Sequence, residues 1–133
     1  MTTQAATHAP PSKALHITAW VLQILAALMF FASGGMKLGG AAMPVELFEK
    51  IGFGQWFRLL TGALEVLGAV LLLVPRLAGA GALLLAAVML GAIYTHLFTS
   101  IGGSPGPAIF LLLVTGFVAW ARRDSTKALL GRA

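Results

Sequence analysis

The chain of 133 residues contains no cysteine, and charged residues make up only 10% of it. Without cysteine there are no disulfides, thiolate metal ligands or cysteine nucleophiles, so a redox role would need a bound cofactor or a partner. Soluble domains carry about 25% charged residues, and this chain could not cover a globular surface with polar groups. Because 59% of its residues are hydrophobic, it is predicted to be an integral membrane protein.

Apolar runs predict an all-α membrane domain of four helices over residues 15–121, between a flexible tail over 1–14 and a basic tail over 122–133. The expected spans are Leu15–Lys37, Trp56–Val74, Leu77–Phe98 and Pro107–Ala121. About 20 helical residues cross a hydrocarbon core of about 30 Å, so the fourth run is short and its start is open. The first run is favoured as a retained span, because it is too long for a signal peptide and no good A-x-A site follows.

The connection between the first two runs, "GGAAMPVELFEKIGFGQ", carries a second pattern. From Pro44 onward, apolar and charged residues fall on opposite faces of a helix, which indicates a small amphipathic helix at the membrane interface. An exposed loop with one helical turn explains the pattern equally well, and both interpretations stay open.

The distribution of positive charge predicts the orientation in the membrane. The side that carries both termini receives Lys13, Arg76, Arg122, Arg123, Lys127 and Arg132, and the other side receives Lys37, Lys50 and Arg58. By the positive-inside rule both termini are expected in the cytoplasm, which makes this a multi-pass protein of the cell membrane. The basic tail then serves as an anchor that also meets anionic lipid, and nucleic acid is not expected as a partner.

Small residues recur every four positions in the third run. Ala78, Ala82 and Ala86 fall on one helix face, and Ala87, Gly91 and Thr95 fall on another. Such faces let membrane helices approach closely. They are compatible with packing inside the chain, with a membrane-protein partner or with a homo-oligomer.

Glu65 lies near the middle of the second run, where an ionisable side chain costs about 2.5–3.5 kcal/mol to insert and normally has a partner. Arg58 and Glu65 share a helix face with Gly62. The antiparallel order of the spans brings three further polar residues to the same, outer half of the membrane. The predicted ligand-binding cluster is therefore Lys37, Arg58, Glu65, Tyr94 and His96.

Two interpretations of this cluster stay open. In the structural one, Glu65 is neutralised by Arg58 or Lys37, and His96 is hydrogen-bonded at a helix end. In the functional one, the cluster lines a pocket open to the outer leaflet, and Glu65 and His96 are the candidate catalytic pair for proton transfer. His16 and His96 lie near opposite faces, which excludes bis-histidine haem ligation, and one histidine with one glutamate is too few for a metal site.

Three segments resemble the DoxX-like family of small bacterial membrane proteins: "FFASGGMKL", "LFEKIGFGQWFRLLTGALEVLGAVLLLVP" and "LLLAAVMLGAIYTHLF". The resemblance covers about residues 20–100 and implies a four-helix membrane protein with Lys37, Glu65 and His96 at recurrent polar positions. Members have been linked to thiosulfate:quinone oxidoreduction and to oxidative-stress complexes, and related eukaryotic proteins act in receptor assembly and cargo trafficking.

The leading hypothesis is an accessory component of a membrane redox or oxidative-stress system. Its outer-half pocket would hold a small lipophilic ligand such as a quinone. The alternatives are a proton-transfer enzyme or proton-coupled carrier that uses Glu65 and His96, and a non-catalytic membrane-protein assembly factor. Whether the protein is an enzyme is left open.

Overall fold

The computed structural model describes residues 12–98 and 104–131, and no strand occurs in either range. The helices are α1 (Lys13–Gly39), α2 (Ala42–Ile51), α3 (Gln55–Leu72), a 3-10 turn (Pro75–Leu77), α4 (Ala78–Phe98), α5 (Gly106–Ala121) and α6 (Arg123–Gly131). The all-α class predicted from the apolar runs is confirmed for the described residues.

Among the described residues, three helical segments are long and apolar enough to cross a membrane: α1, α3 and the segment Pro75–Phe98. Helix α5 has only 16 residues and meets α6 at a bend of 60°, and the two together would make a fourth span. The protein is therefore a multi-pass membrane protein, and α5 is short, as its apolar run predicted. Its orientation stays a prediction, so we call the two ends of the bundle the α2 end and the Arg122 end.

The flexible tail predicted over residues 1–14 differs from the structure at its inner edge. Helix α1 already begins at Lys13, because the Ser12 hydroxyl accepts a hydrogen bond from the Leu15 backbone N–H at 3.1 Å and caps the helix. Lys13 and Ala14 are thus helical and do not belong to a flexible tail, while residues 1–11 lie outside the described ranges. The basic tail forms α6 as far as Gly131, and residues 132–133 and the turn-rich 99–103 also lie outside the described ranges.

The connection between α1 and α3 forms the helix α2, which decides between the two interpretations of its sequence. Gly40 and Gly52 follow the ends of α1 and α2 with φ of 76° and 87°, a left-handed conformation that glycine adopts without a Cβ clash. The buried Phe48 meets the ring of Phe57 edge-on, with centroids 5.6 Å apart. Helix α2 therefore folds back onto the start of α3; its location at a membrane interface stays a prediction.

The four long helices pack in a ring, in which α1 and α4 each contact both α3 and α5. Their shared core is made of Ala26, Ala27, Phe30, Ala69, Leu72, Ala82, Leu85, Met89, Ala108 and Val118. Small side chains let the backbones approach, as membrane helices require. The predicted packing face of α4 is confirmed at Ala78 and Ala82, which are fully buried. The second predicted face does not pack inside the bundle at Ala87 and Gly91, because both residues are exposed.

The buried side chain of Gln23 ties three helices together at the Arg122 end. Its Nε2 donates to the carbonyl oxygen of Leu72 at 2.8 Å, and its Oε1 accepts from Nε of Arg122 at 2.6 Å. The last carbonyls of a helix have no partner within it, so Gln23 of α1 satisfies one at the end of α3. It also fixes the arginine that follows α5.

Replacing Gln23 with methionine is expected to lower the free energy of unfolding by about 1–3 kcal/mol, because two polar groups lose their partner away from water. Thermal unfolding in detergent, followed by circular dichroism, measures the loss. The matched control is Ile24→Met, which introduces the same residue at the next position, where the side chain is 47% exposed. Equal losses in the two variants would contradict the role given to Gln23.

Candidate functional site

A cavity of about 830 Å³ lies between α3 and α4 toward the α2 end, with α1, α2 and α5 contributing to its wall. Helices α3 and α4 are in close contact nearer the Arg122 end. A Cβ added to Gly68 would lie 2.5 Å from the Leu85 side chain, and one added to Gly81 would lie 2.7 Å from Cβ of Leu71. Beyond this contact both helices line the cavity, for example at Leu64 and Val88. The cavity is thus the space left where two helices diverge.

The wall of the cavity is mostly apolar and carries its polar groups in a few places. Four of the five residues in the predicted ligand-binding cluster line it: Lys37, Glu65, Tyr94 and His96. The antiparallel order of the helices brings these residues together, as the sequence predicted. Their role in ligand binding stays a prediction.

Three of the polar groups form a connected network, which we call the Ser33–Lys37–Glu65 cluster. Nζ of Lys37 lies 2.9 Å from Oε1 of Glu65 and donates to the Ser33 hydroxyl at 2.7 Å. That hydroxyl donates in turn to the same carboxylate oxygen at 3.1 Å. Glu65 is only 2% exposed, so the ion pair supplies the partner that a carboxylate in the middle of a membrane-length helix needs.

Arg58 contacts the end of α1 and does not line the cavity. Its Nε donates to Oε1 of Gln55 at 2.6 Å, and its Nη1 donates to the backbone carbonyl of Lys37. The sequence left open whether Arg58 or Lys37 neutralises Glu65, and the structure assigns Lys37. Arg58 precedes Glu65 by seven residues. At a rise of about 1.5 Å per residue the two side chains are two turns apart along α3, although they share a helix face. Arg58 instead caps the helix that carries Lys37.

His96 and Tyr94 lie near the end of α4. The hydrogen bond found for His96 and the ring pair found for Tyr94 are both with residues of α4 itself. Nδ1 of His96 lies 3.0 Å from the carbonyl oxygen of Ala92. Because a carbonyl only accepts, Nδ1 carries the proton, and in a neutral ring Nε2 would then be an acceptor. Tyr94 is 64% exposed and packs on the Phe98 ring with centroids 4.8 Å apart. Among the described residues, no hydrogen bond joins His96 to Glu65.

Sequence reasoning missed Ser33, which joins the ion pair. Ser33 precedes Lys37 by four residues on α1, the spacing at which helical side chains meet, so this signal was present in "SGGMK". Within residues 12–98 and 104–131, no group of three or more histidine, aspartate and glutamate side chains is placed to hold a metal ion. The polar side chains found on the described part of the wall are one ammonium, one carboxylate, hydroxyls and an imidazole.

Comparison with known families identifies the chain. Residues 21–123, well over half of its length, match the family model described as the DoxX-like family, and the chain belongs to that family. This confirms the resemblance seen in the three sequence segments. Neither a curated protein nor a solved structure matches the chain.

Proposed function

We propose that this DoxX-like membrane protein binds a small lipophilic molecule with a polar head, such as a quinone, in the cavity between α3 and α4. The observation that carries the proposal is the Ser33–Lys37–Glu65 cluster on the wall of a mostly apolar cavity. Sites for small ligands combine an apolar wall with a few polar groups that fix the orientation. A volume of about 830 Å³ is within the range of such sites.

The donors and acceptors of the wall favour a ligand that carries a carbonyl oxygen. The Lys37 ammonium has three N–H donors, of which Ser33 and Glu65 take two. Among the described residues no further group takes the third, which is left for an acceptor atom, and the Lys37 side chain is 17% exposed. His96 lies elsewhere on the wall, and Nε2 of its neutral form would be an acceptor suited to a hydroxyl. A carbonyl and a hydroxyl are the oxygen groups of a quinone and of its reduced form.

The proposed setting is a membrane redox or oxidative-stress system, as the family resemblance implies. The protein would act there as an accessory component that holds the lipophilic molecule for a partner. The proton-transfer alternative is less well supported, because Oε1 of Glu65 is occupied by Lys37 and Ser33. The assembly-factor alternative stays a prediction. The small residues Ala87 and Gly91, which such a factor would present to a partner, are exposed and also line this cavity.

A bulky residue at Gly91 is expected to displace the ligand. Gly91 lines the cavity, and a Cβ built on it meets nothing within 4 Å, so Gly91→Leu should fold while its side chain occupies part of the cavity. Protein purified in mild detergent is extracted and the lipophilic molecules are identified by mass spectrometry. We expect a molecule with a carbonyl or hydroxyl head to accompany the wild type and to be strongly depleted in Gly91→Leu.

The matched control is Gly116→Leu, a glycine of α5 that also has open space around its Cβ but does not line the cavity. It should retain as much of the molecule as the wild type. Retention in Gly91→Leu equal to that in the control would overturn the proposal, as would a wild type that carries nothing beyond bulk lipid and detergent.

A further inference from the structure

A second polar cluster lies at the Arg122 end, far from the cavity. The guanidinium of Arg122 donates through Nε to Gln23 at 2.6 Å, and its Nη1 lies 3.0 Å from Nδ1 of His16. Nη2 lies 3.4 Å from the backbone carbonyl of His16. The guanidinium carbon of Arg122 lies over the Trp20 ring, 5.7 Å from the ring centroid. Lys13 precedes His16 by three residues on α1, a spacing that places both side chains on one face of the helix and brings a second cation to this end.

This cluster is positive and has no carboxylate partner among the described residues. The ion pair found in those ranges joins Lys37 to Glu65 at the other end of the bundle. The contacts found for Arg122 within those ranges are with neutral groups, and its side chain is partly buried. A partly buried guanidinium without a counter-charge favours the arrival of an anion.

The hydrogen bonds of the cluster leave donors available for such an anion. A guanidinium has five N–H groups, and the contacts with Gln23 and His16 use three of them. Because Arg122 donates to Nδ1 of His16, the proton of the neutral imidazole is on Nε2, which is then a further donor. Arg122 is held in place by the fully buried Gln23, so the geometry of these donors is fixed before any anion binds.

We propose that Arg122, His16 and Lys13 bind the phosphate group of an anionic phospholipid. Arginine donors match phosphate oxygens in pairs, and the site lies at the end of a membrane-length helix, where lipid phosphates are found. Trp20 lies one turn further into α1, and an indole ring prefers this boundary between head groups and acyl chains. Anionic lipids concentrate beside such cationic groups. Free phosphate shares the chemistry of the head group but lacks the acyl chains.

The test measures lipid binding by the full chain purified in a neutral detergent. Phosphatidylglycerol is expected to raise the midpoint of thermal unfolding more than phosphatidylcholine does, and native mass spectrometry should show the anionic lipid retained. Both effects should be at least halved in His16→Ala and in Arg122→Gln. His16 is exposed, so His16→Ala is expected to fold. It keeps the test decisive even if Arg122→Gln is less stable because it loses the contact with Gln23.

The control is Arg76→Gln, which removes an exposed arginine from the turn before α4 at the same end. It should retain the anionic lipid as the wild type does. Equal retention in the wild type and His16→Ala would overturn the site. An equal rise of the unfolding midpoint with inorganic phosphate at the same concentration would overturn its assignment to a lipid.

Discussion

Replacing Lys37 with methionine is expected to lower the free energy of unfolding by about 3–5 kcal/mol, because it leaves a buried carboxylate without its cation. Glu65 is 2% exposed, and the ion pair and the Ser33 hydroxyl are the contacts found for its Oε1. Unfolding of the purified protein in detergent, titrated with a denaturant and followed by tryptophan fluorescence, measures the change.

The double variant Lys37→Met with Glu65→Gln separates the cost of an unpaired charge from the loss of packing. Removing both charges of a buried pair is often close to neutral, so the double variant should recover most of the stability that Lys37→Met loses. If the double variant is as unstable as the single one, the ion pair is not what stabilises this part of the bundle. Retention of the cavity ligand, measured on the same samples, reports separately on the proposed function.

Gly34→Val is expected to be at least as damaging, with a loss of about 3 kcal/mol or more, because the added side chain meets backbone that cannot move aside. A Cβ on Gly34 would lie 2.8 Å from the carbonyl oxygen of Gly62 and 2.8 Å from Cγ2 of Val66. Helices α1 and α3 would have to separate, and the register that places Lys37 beside Glu65 would be lost. The variant should therefore unfold at a lower denaturant concentration and yield less folded protein.

Gly35→Val is the matched control, since it makes the same substitution one residue later in the same helix. A Cβ at Gly35 meets nothing within 4 Å, so the change in the free energy of unfolding should stay within about 0.5 kcal/mol, as at other surface positions. A loss in Gly35→Val as large as that in Gly34→Val would show that helix propensity, and not close packing, sets the cost.

The apolar runs were sufficient to predict the helices, because a membrane-length helix has a local signature of length and hydropathy. The sequence narrowed the partner of Glu65 to two cations, Arg58 and Lys37, but could not decide between them. That choice depends on the register between α1 and α3, which is set by the close contact of Gly34 with Gly62. No pattern within one helix carries information on that register. Ser33 was missed for a simpler reason, since a serine in an apolar run resembles ordinary helix packing.

The second polar cluster was beyond prediction for a different reason. Gln23 and Arg122 are 99 residues apart in the sequence, and each has an ordinary explanation by itself, as a polar residue in a span and as a topological anchor. The helix α6 was also missed, because nine residues of mixed polarity resemble a tail. Its packing onto α4 places the Thr126 hydroxyl so close to Gly79 that a Cβ there would clash with it. Only the folded chain brings such pairs together.

Under the proposed function, the divergence of α3 and α4 would also determine how the cavity fills. Leu60 of α3 and Gly91 of α4 both line the cavity and are exposed, so a ligand would enter through the gap between these two helices. A molecule that passes through this gap moves from acyl chains to protein without crossing water. Its occupancy then follows its mole fraction in the membrane and not its concentration in the buffer. Fusing proteoliposomes with empty vesicles would drain the cavity, whereas diluting them in buffer would leave it full.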